Sequence, residues 1–208
     1  MISLSRVAIA VITVALLAGC GEPSGTPSAQ DILAKPTHAN LRDAHFILSG
    51  KFINNGATID LGGDGQVVYK SAPAAGRSTL QSTVAGHPVT FEDIFINGID
   101  YGLTQPGNGK WTAKTTTTGL GPSSFSGASN FKYLGEEQLP LGRAWHAQAR
   151  DRVGNAFEGW IRESDGFPLK YLLLATNTRA STTLTLTFDK YNTGVTITAP
   201  PASEIAQG

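Results

Sequence analysis

The sequence predicts a mainly β domain of the α+β kind, an antiparallel sheet of about ten strands preceded by one helix. Three observations lead there. From residue 45 onward apolar and polar residues alternate, as they do on a sheet with one wet face. Turn signals built on Asn, Asp, Gly and Pro interrupt that alternation at short intervals. Helical spacing is confined to one stretch, residues 29–44.

The first twenty of the 208 residues precede this pattern. Arg6 is their only charge, and residues 7–17 are apolar apart from Thr13. Such a run is shorter than the roughly 20 residues a membrane span needs, and it has the polarity of a signal-peptide core. It ends in Leu17-Ala18-Gly19-Cys20, which looks like a bacterial lipobox. Cys20 is the single cysteine of the chain, so it has no intramolecular disulfide partner. We therefore expect residues 1–19 to be a lipoprotein signal peptide and Cys20 to carry the lipid. A multiply acylated terminus would hold the protein on the extracytoplasmic face of the cell membrane. Residues 20–30 are rich in Pro, Gly and Ser and read as a flexible tether. The folded domain is expected over residues 31–205.

Ser28 with Asp31 marks a helix start, and Ile32, Leu33, Ala39 and Leu41 share one side. Pro36 conflicts with an uninterrupted helix and predicts a kink, or a start near Lys35. Phe46, Leu48 and Phe52 then begin the first strand, which ends at the hairpin dipeptide Asn55-Gly56. The glycine-rich residues 62–65 read as a turn or as a bulge inside one long bent strand. Leu80 and Val84 alternate with polar neighbours. Asn97-Gly98 separates Phe91 from the strand of Ile99, Tyr101 and Leu103. Residues 106–109 form the next turn, before Trp111. Later breaks are Gly154-Asn155, Asp165-Gly166 and residues 192–194, the last placed between Leu184-Leu186-Phe188 and a final strand of Val195 and Ile197. Close hairpin signals favour a meander over βαβ units. One short helix cannot cover about ten strands. Either the sheet curls into a closed barrel or sandwich with a filled core, or part of its apolar face is left for something else.

Chemistry is sparse. Lys+Arg and Asp+Glu balance at 16 each, without the basic excess of a nucleic-acid binder. His38, His45, His87 and His146 lack metal-ligand spacing, so neither a metal site nor a cofactor is expected. Residues 119–129 hold Ser123, Ser124 and Ser126 but neither a GxSxG elbow nor a P-loop. Glu136 with Glu137, and Glu92 with Asp93, are adjacent and point to opposite faces of a strand, so neither is a carboxylate pair. Nothing assembles a nucleophile, a base and an oxyanion site, and the chain reads as non-enzymatic. Trp160 shares a strand face with Glu158 and Arg162. There it packs against long charged stems or marks a partner contact.

The order of these pieces resembles the LolA-like superfamily of envelope lipid and lipoprotein carriers, closest to its LppX/LprG-type lipoproteins. The resemblance rests on Cys20, the tether, the single helix and the first strand at residues 44–52 (AHFILSGKF). It continues through Gly63-Asp64-Gly65, residues 95–101 (FINGIDY), Lys110-Trp111, residues 133–137 (YLGEE), Gly142 and residues 145–149 (WHAQA). Residues 159–162 (GWIR), 167–170 (FPLK) and 188–200 (FDKYNTGVTITAP) complete it. It implies an unclosed half-barrel of about 10–12 strands with the helix over its concave face. It also implies binding of lipid or glycolipid acyl chains in an apolar cavity, in envelope lipid transport or presentation. Relatives usually carry mid-chain lid helices. Residues 115–130 here are rich in Thr, Gly and Ser and show no helical pattern.

On this reading the alternating apolar set lines the cavity: Phe46, Leu48, Phe52, Leu80, Val84, Phe91, Tyr101, Leu103, Phe157, Ile161, Leu172, Leu184, Leu186 and Phe188. Each of these serves equally well as plain core. The alternative is a non-catalytic envelope interaction or sensor lipoprotein with a filled core and an envelope protein as partner, met through open edge strands and Trp160.

Overall fold

A computed structural model describes residues 25–55, 57–70, 75–115, 127–151, 154–176 and 180–206. The predicted signal peptide, Cys20, residues 21–24 of the tether and residues 116–126 of the lid region lie outside these residues. Helix α1 spans Ala29–His38. The strands are β1 (Asp43–Asn54), β2 (Ala57–Val68), β3 (Ala75–Val84), β4 (His87–Ile96), β5 (Ile99–Gln105), β6 (Thr112–Thr115), β7 (Ser129–Leu139), β8 (Gly142–Arg150), β9 (Ala156–Arg162), β10 (Pro168–Thr176) and β11 (Ala180–Tyr191). All eleven join one sheet in the order β6-β5-β4-β3-β2-β1-β11-β10-β9-β8-β7. Every ladder is antiparallel, and β6 and β7, consecutive in sequence, form the two edges. The sheet is two meanders joined by β1 and β11, and it does not close.

The β4–β5, β5–β6 and β9–β10 connections fall at the predicted turn residues. Asn97 (φ 55°) and Gly98 (φ 73°) both adopt the left-handed backbone that a tight hairpin between β4 and β5 needs. Residues 62–65 are no turn: β2 runs through them unbroken. A Cβ on Gly63 would lie 1.9 Å from the Thr79 carbonyl oxygen, and one on Gly65 would lie 2.3 Å from the Phe46 ring. These glycines let the neighbouring strand and a large side chain close onto β2.

Two expectations are corrected. The helix ends at His38 rather than near Ala44, because Asp43 and Ala44 are taken into β1 by pairing with β2. It starts at Ala29, where the Ser28 hydroxyl accepts the Asp31 N–H at 3.1 Å, and Pro36 falls in its last turn. Val195 and Ile197 form no twelfth strand. From Asn192 the chain leaves the sheet and crosses its other face, ending in a 3-10 turn at Ala202–Glu204.

The register divides the apolar residues between two faces. Phe46 pairs with Phe188 and Gly65, and Leu48 with Leu186 and Gly63. Tyr171 pairs with Leu186 and Gly159, and Phe157 with Leu173 and Ala149. These residues share one face, and Ile32 and Leu33 of α1 are buried in the same cluster. The helix touches β7, β8 and β9, so this is the concave face of the half-barrel. A second core lies on the opposite face. Ile94, Tyr101, Leu103 and Trp111 are buried there with Ile197, and Val195 and Ile205 pack beside them.

Candidate ligand face of the half-barrel

The helix covers only one arm of the sheet. Beneath it the concave face is ordinary core: Phe46, Leu48, Phe157, Ile161, Leu186 and Phe188 are each at most 6% exposed. Phe188 meets Phe46 and Tyr171 edge-on, with ring centroids 5.8 and 5.5 Å apart. On the other arm, the same face carries Phe52, Ile59, Leu61, Leu80, Val89 and Phe91, all half-buried, and Val84 at 37% exposure. Leu80 and Leu184 are partly buried against the helix-side core, so the open arm continues the packed one without a break.

The structure thus sorts the predicted cavity residues into three groups. Phe46, Leu48, Phe157, Ile161, Leu186 and Phe188 come together as concave core. Phe52, Leu80, Val84, Phe91 and Leu184 form the partly open concave surface. Tyr101, Leu103 and Leu172 are corrections, since they lie on the opposite face. Tyr101 pairs with Ile94 and Leu103 with Glu92, which places both under the C-terminal segment. Leu172 pairs with Glu158 and packs against Trp160. Period 2 separates the faces within each strand but does not say which face is concave, and here both faces are apolar. Ile59, Leu61 and Val89 were missed for a related reason, since Gly62, Gly63, Pro88 and the polar neighbours hide their alternation.

One polar spot interrupts the apolar wall. Asp93 pairs with Gly102 and Asp100 with Phe95, so the two carboxyls stand diagonally on the concave face across the β4–β5 hairpin. Their side chains lie within hydrogen-bonding reach of each other. Burial, reinforced by the Asp100 hydrogen bond and charge, pushes the Asp93 carboxyl up to about 7. Asp100 Oδ1 is buried without a hydrogen-bond partner among the described residues. Adjacency in sequence could not reveal this pair, because its members come from neighbouring strands.

The other polar features are structural. His146 lies between Glu137 and Glu158, each 2.9 Å from a ring nitrogen, and stacks on Trp160 with centroids 3.9 Å apart. Lys170 Nζ stands 3.8 Å over the same indole. Trp160 is 4% exposed, which makes it packing beneath charged stems rather than a contact surface. A depression of about 900 Å³ on β2, β3 and β4 is lined largely by side chains of the opposite face, among them Asp60, Gln81, Thr83 and Thr90, and its polar walls do not suit an acyl chain. Among the described residues no three His, Cys, Asp or Glu side chains group to hold a metal, and no helix is long and apolar enough to cross a membrane.

No family model matches the chain, and no curated protein matches it. Solved structures do. An uncharacterized conserved protein from Thermus thermophilus superposes with a TM-score of 0.56 at 15% identity, over 85% of this chain and 96% of that one. LprF from Mycobacterium bovis gives a TM-score of 0.46 at 14% identity, over 85% and 99%. MucB in the Pseudomonas aeruginosa MucA/MucB complex gives 0.42 at 19% identity, over 86% of this chain and 61% of that one. At these identities the likeness concerns the fold alone. With eleven antiparallel strands and one helix among its described residues, the chain has an unclosed half-barrel fold, shared with the Thermus thermophilus protein.

Proposed function

We propose that this protein is a cell-envelope lipoprotein, tethered through Cys20, that binds an acyl-chain ligand on the open arm of its concave face. The observation that carries the reading is the mismatch between helix and sheet. Helix α1 makes its main contacts with β7, β8 and β9, while Phe52, Leu61, Leu80 and Phe91 leave an apolar wall half-exposed on the far arm. Apolar surface in a concave wall gains roughly 25 cal/mol per Å² when a hydrocarbon chain displaces water from it. Such a ligand needs few polar contacts, in keeping with an open arm whose described charged residues on this face are Asp93, Asp100 and the edge residue Lys114.

The test is native mass spectrometry with lipid extraction on protein expressed with its signal peptide, beside the Cys20→Ser form. The reading expects a covalent lipid on Cys20 that the substitution removes and a non-covalent lipid that it leaves in place. Leu80→Gln should then lower lipid occupancy by about tenfold, the worth of one buried aliphatic side chain. An acylated but otherwise empty domain would sink the ligand reading and favour the envelope interaction module.

A further inference from the structure

We propose that Asp93 and Asp100 form a proton-linked clasp between β4 and β5, closed by one shared proton and released when that proton is lost to solvent. A carboxylate has no donor, so a hydrogen bond between two carboxyl groups requires one of them to be protonated. Register brings the pair together: Asp93 opposite Gly102 and Asp100 opposite Phe95 put both side chains on one face, two residues apart along the hairpin. Both aspartates are half-buried, and two of their neighbours are buried. Phe95 is 7% exposed on the same face, and Ser78, directly opposite Asp93 on β3, is 5% exposed.

Five strands contribute residues to the face around the pair. From β3 come Gly76, Ser78 and Leu80, and from β2 behind it Gly63, Gly65 and Val67. Strand β4 adds Phe91 and Phe95, and β5 adds Gly102 and Thr104. From β6 comes Lys114, exposed and opposite Asp100, with Thr112 beside it. Arg77 and Glu92 lie on the other face, paired with each other at 3.9 Å. Lys114 is therefore the only charge of the described β3–β6 residues near enough to oppose a second negative charge, and it sits in solvent. With the proton gone, two like charges face each other in the wall, and the hairpin arm is the element free to yield.

The sign follows from the raised carboxyl. The folded state holds this proton up to about 7, while an unfolded Asp releases it near 3.8. Stability from the group is complete below the lower value and is lost as pH rises toward the upper one. The native arm itself should loosen around neutrality.

The experiment is carbon-13 carboxyl NMR together with amide hydrogen exchange from pH 5 to 8.5 on the full domain and on Asp100→Asn. Asparagine supplies a fixed N–H donor in place of the shared proton. The expected result is an Asp93 carboxyl that titrates near pH 7. In Asp100→Asn that midpoint should fall by more than about one unit. Exchange of the β4 and β5 amides should quicken about tenfold beyond its intrinsic pH dependence in the parent, and stay flat in the variant. Two carboxyls that both titrate below pH 5 overturn the clasp, and so does a midpoint near 7 without any change in β4–β5 protection. No lipid enters the measurement, so its outcome is independent of the ligand reading.

Discussion

Asp43 is 2% exposed and yet bears a charge the fold depends on. Its carboxylate accepts the Thr193 N–H at 2.7 Å, the Thr193 hydroxyl at 2.9 Å and the Gly194 N–H at 3.0 Å. Its own carbonyl accepts the Asn192 N–H at 2.9 Å. Burial works to raise this carboxyl, but the hydrogen bonds outweigh it and hold it below its ordinary value. A lowered carboxyl stabilises the fold above 3.8 and loses that contribution as pH falls through its folded value. We expect Asp43→Ala to cost about 2–4 kcal/mol in urea denaturation, since it strands buried donors at the point where the C-terminal segment leaves β11. The parent should lose stability below pH 4 more steeply than the variant. In sequence Asp43 is one acidic residue among sixteen, and its partners lie some 150 positions away.

At the scale of elements, α1 was legible at its start and not at its end. Ser28 followed by Asp31 is a local capping signal, and Ser28→Ala should cost about 1 kcal/mol by thermal denaturation. The apolar spacing continues to Leu41, but the chain has already turned to pair with β2. Tertiary pairing overrides helical spacing there. Ile32 is fully buried against the sheet, and Ile32→Ala should cost about 2–5 kcal/mol in the same assay. Strand β2 tests the bend: Gly65→Ala puts a methyl group against the Phe46 ring and the Arg77 carbonyl oxygen. A penalty of about 1–3 kcal/mol is expected, relieved in part by Phe46→Leu in a double-mutant cycle. A fully additive cycle would show that Phe46 is not what the methyl meets.

At the scale of the molecule, one sheet divides two cores. The concave core lies under α1, and the opposite one under residues 195–205. Trp111 ties the second lid down: its N–H donates to the Glu204 carbonyl, and its own carbonyl accepts the Ala206 N–H, both at 2.8 Å. A chain ending at Gly194 should uncover Tyr101, Leu103 and Trp111. It should bind a hydrophobic dye, red-shift the Trp emission and lose at least about 3 kcal/mol, the worth of Val195, Ile197 and Ile205. A truncated form with parental stability would mean that the segment only rests on the sheet.

Local chemistry was enough for much of this architecture. Alternation and turn residues specify antiparallel hairpins because each acts within a few positions of itself. The count of apolar faces against one helix also posed two alternatives, a sheet closed on a filled core or one with part of its apolar face uncovered. What the residues alone left open was the sidedness of the sheet. Tyr101, Leu103 and Leu172 alternate as regularly as Phe46 and Leu186, yet they face the other way, because facing depends on register and curvature summed over eleven strands. The same holds for Asp93 and Asp100, six intervening residues apart in sequence and joined only by a hairpin that sets them diagonally in one wall. Hairpins are decided by neighbours in the chain. The face each residue presents, and therefore the open arm of the concave wall, is decided only when the whole sheet has curled and the two chain ends have chosen their sides.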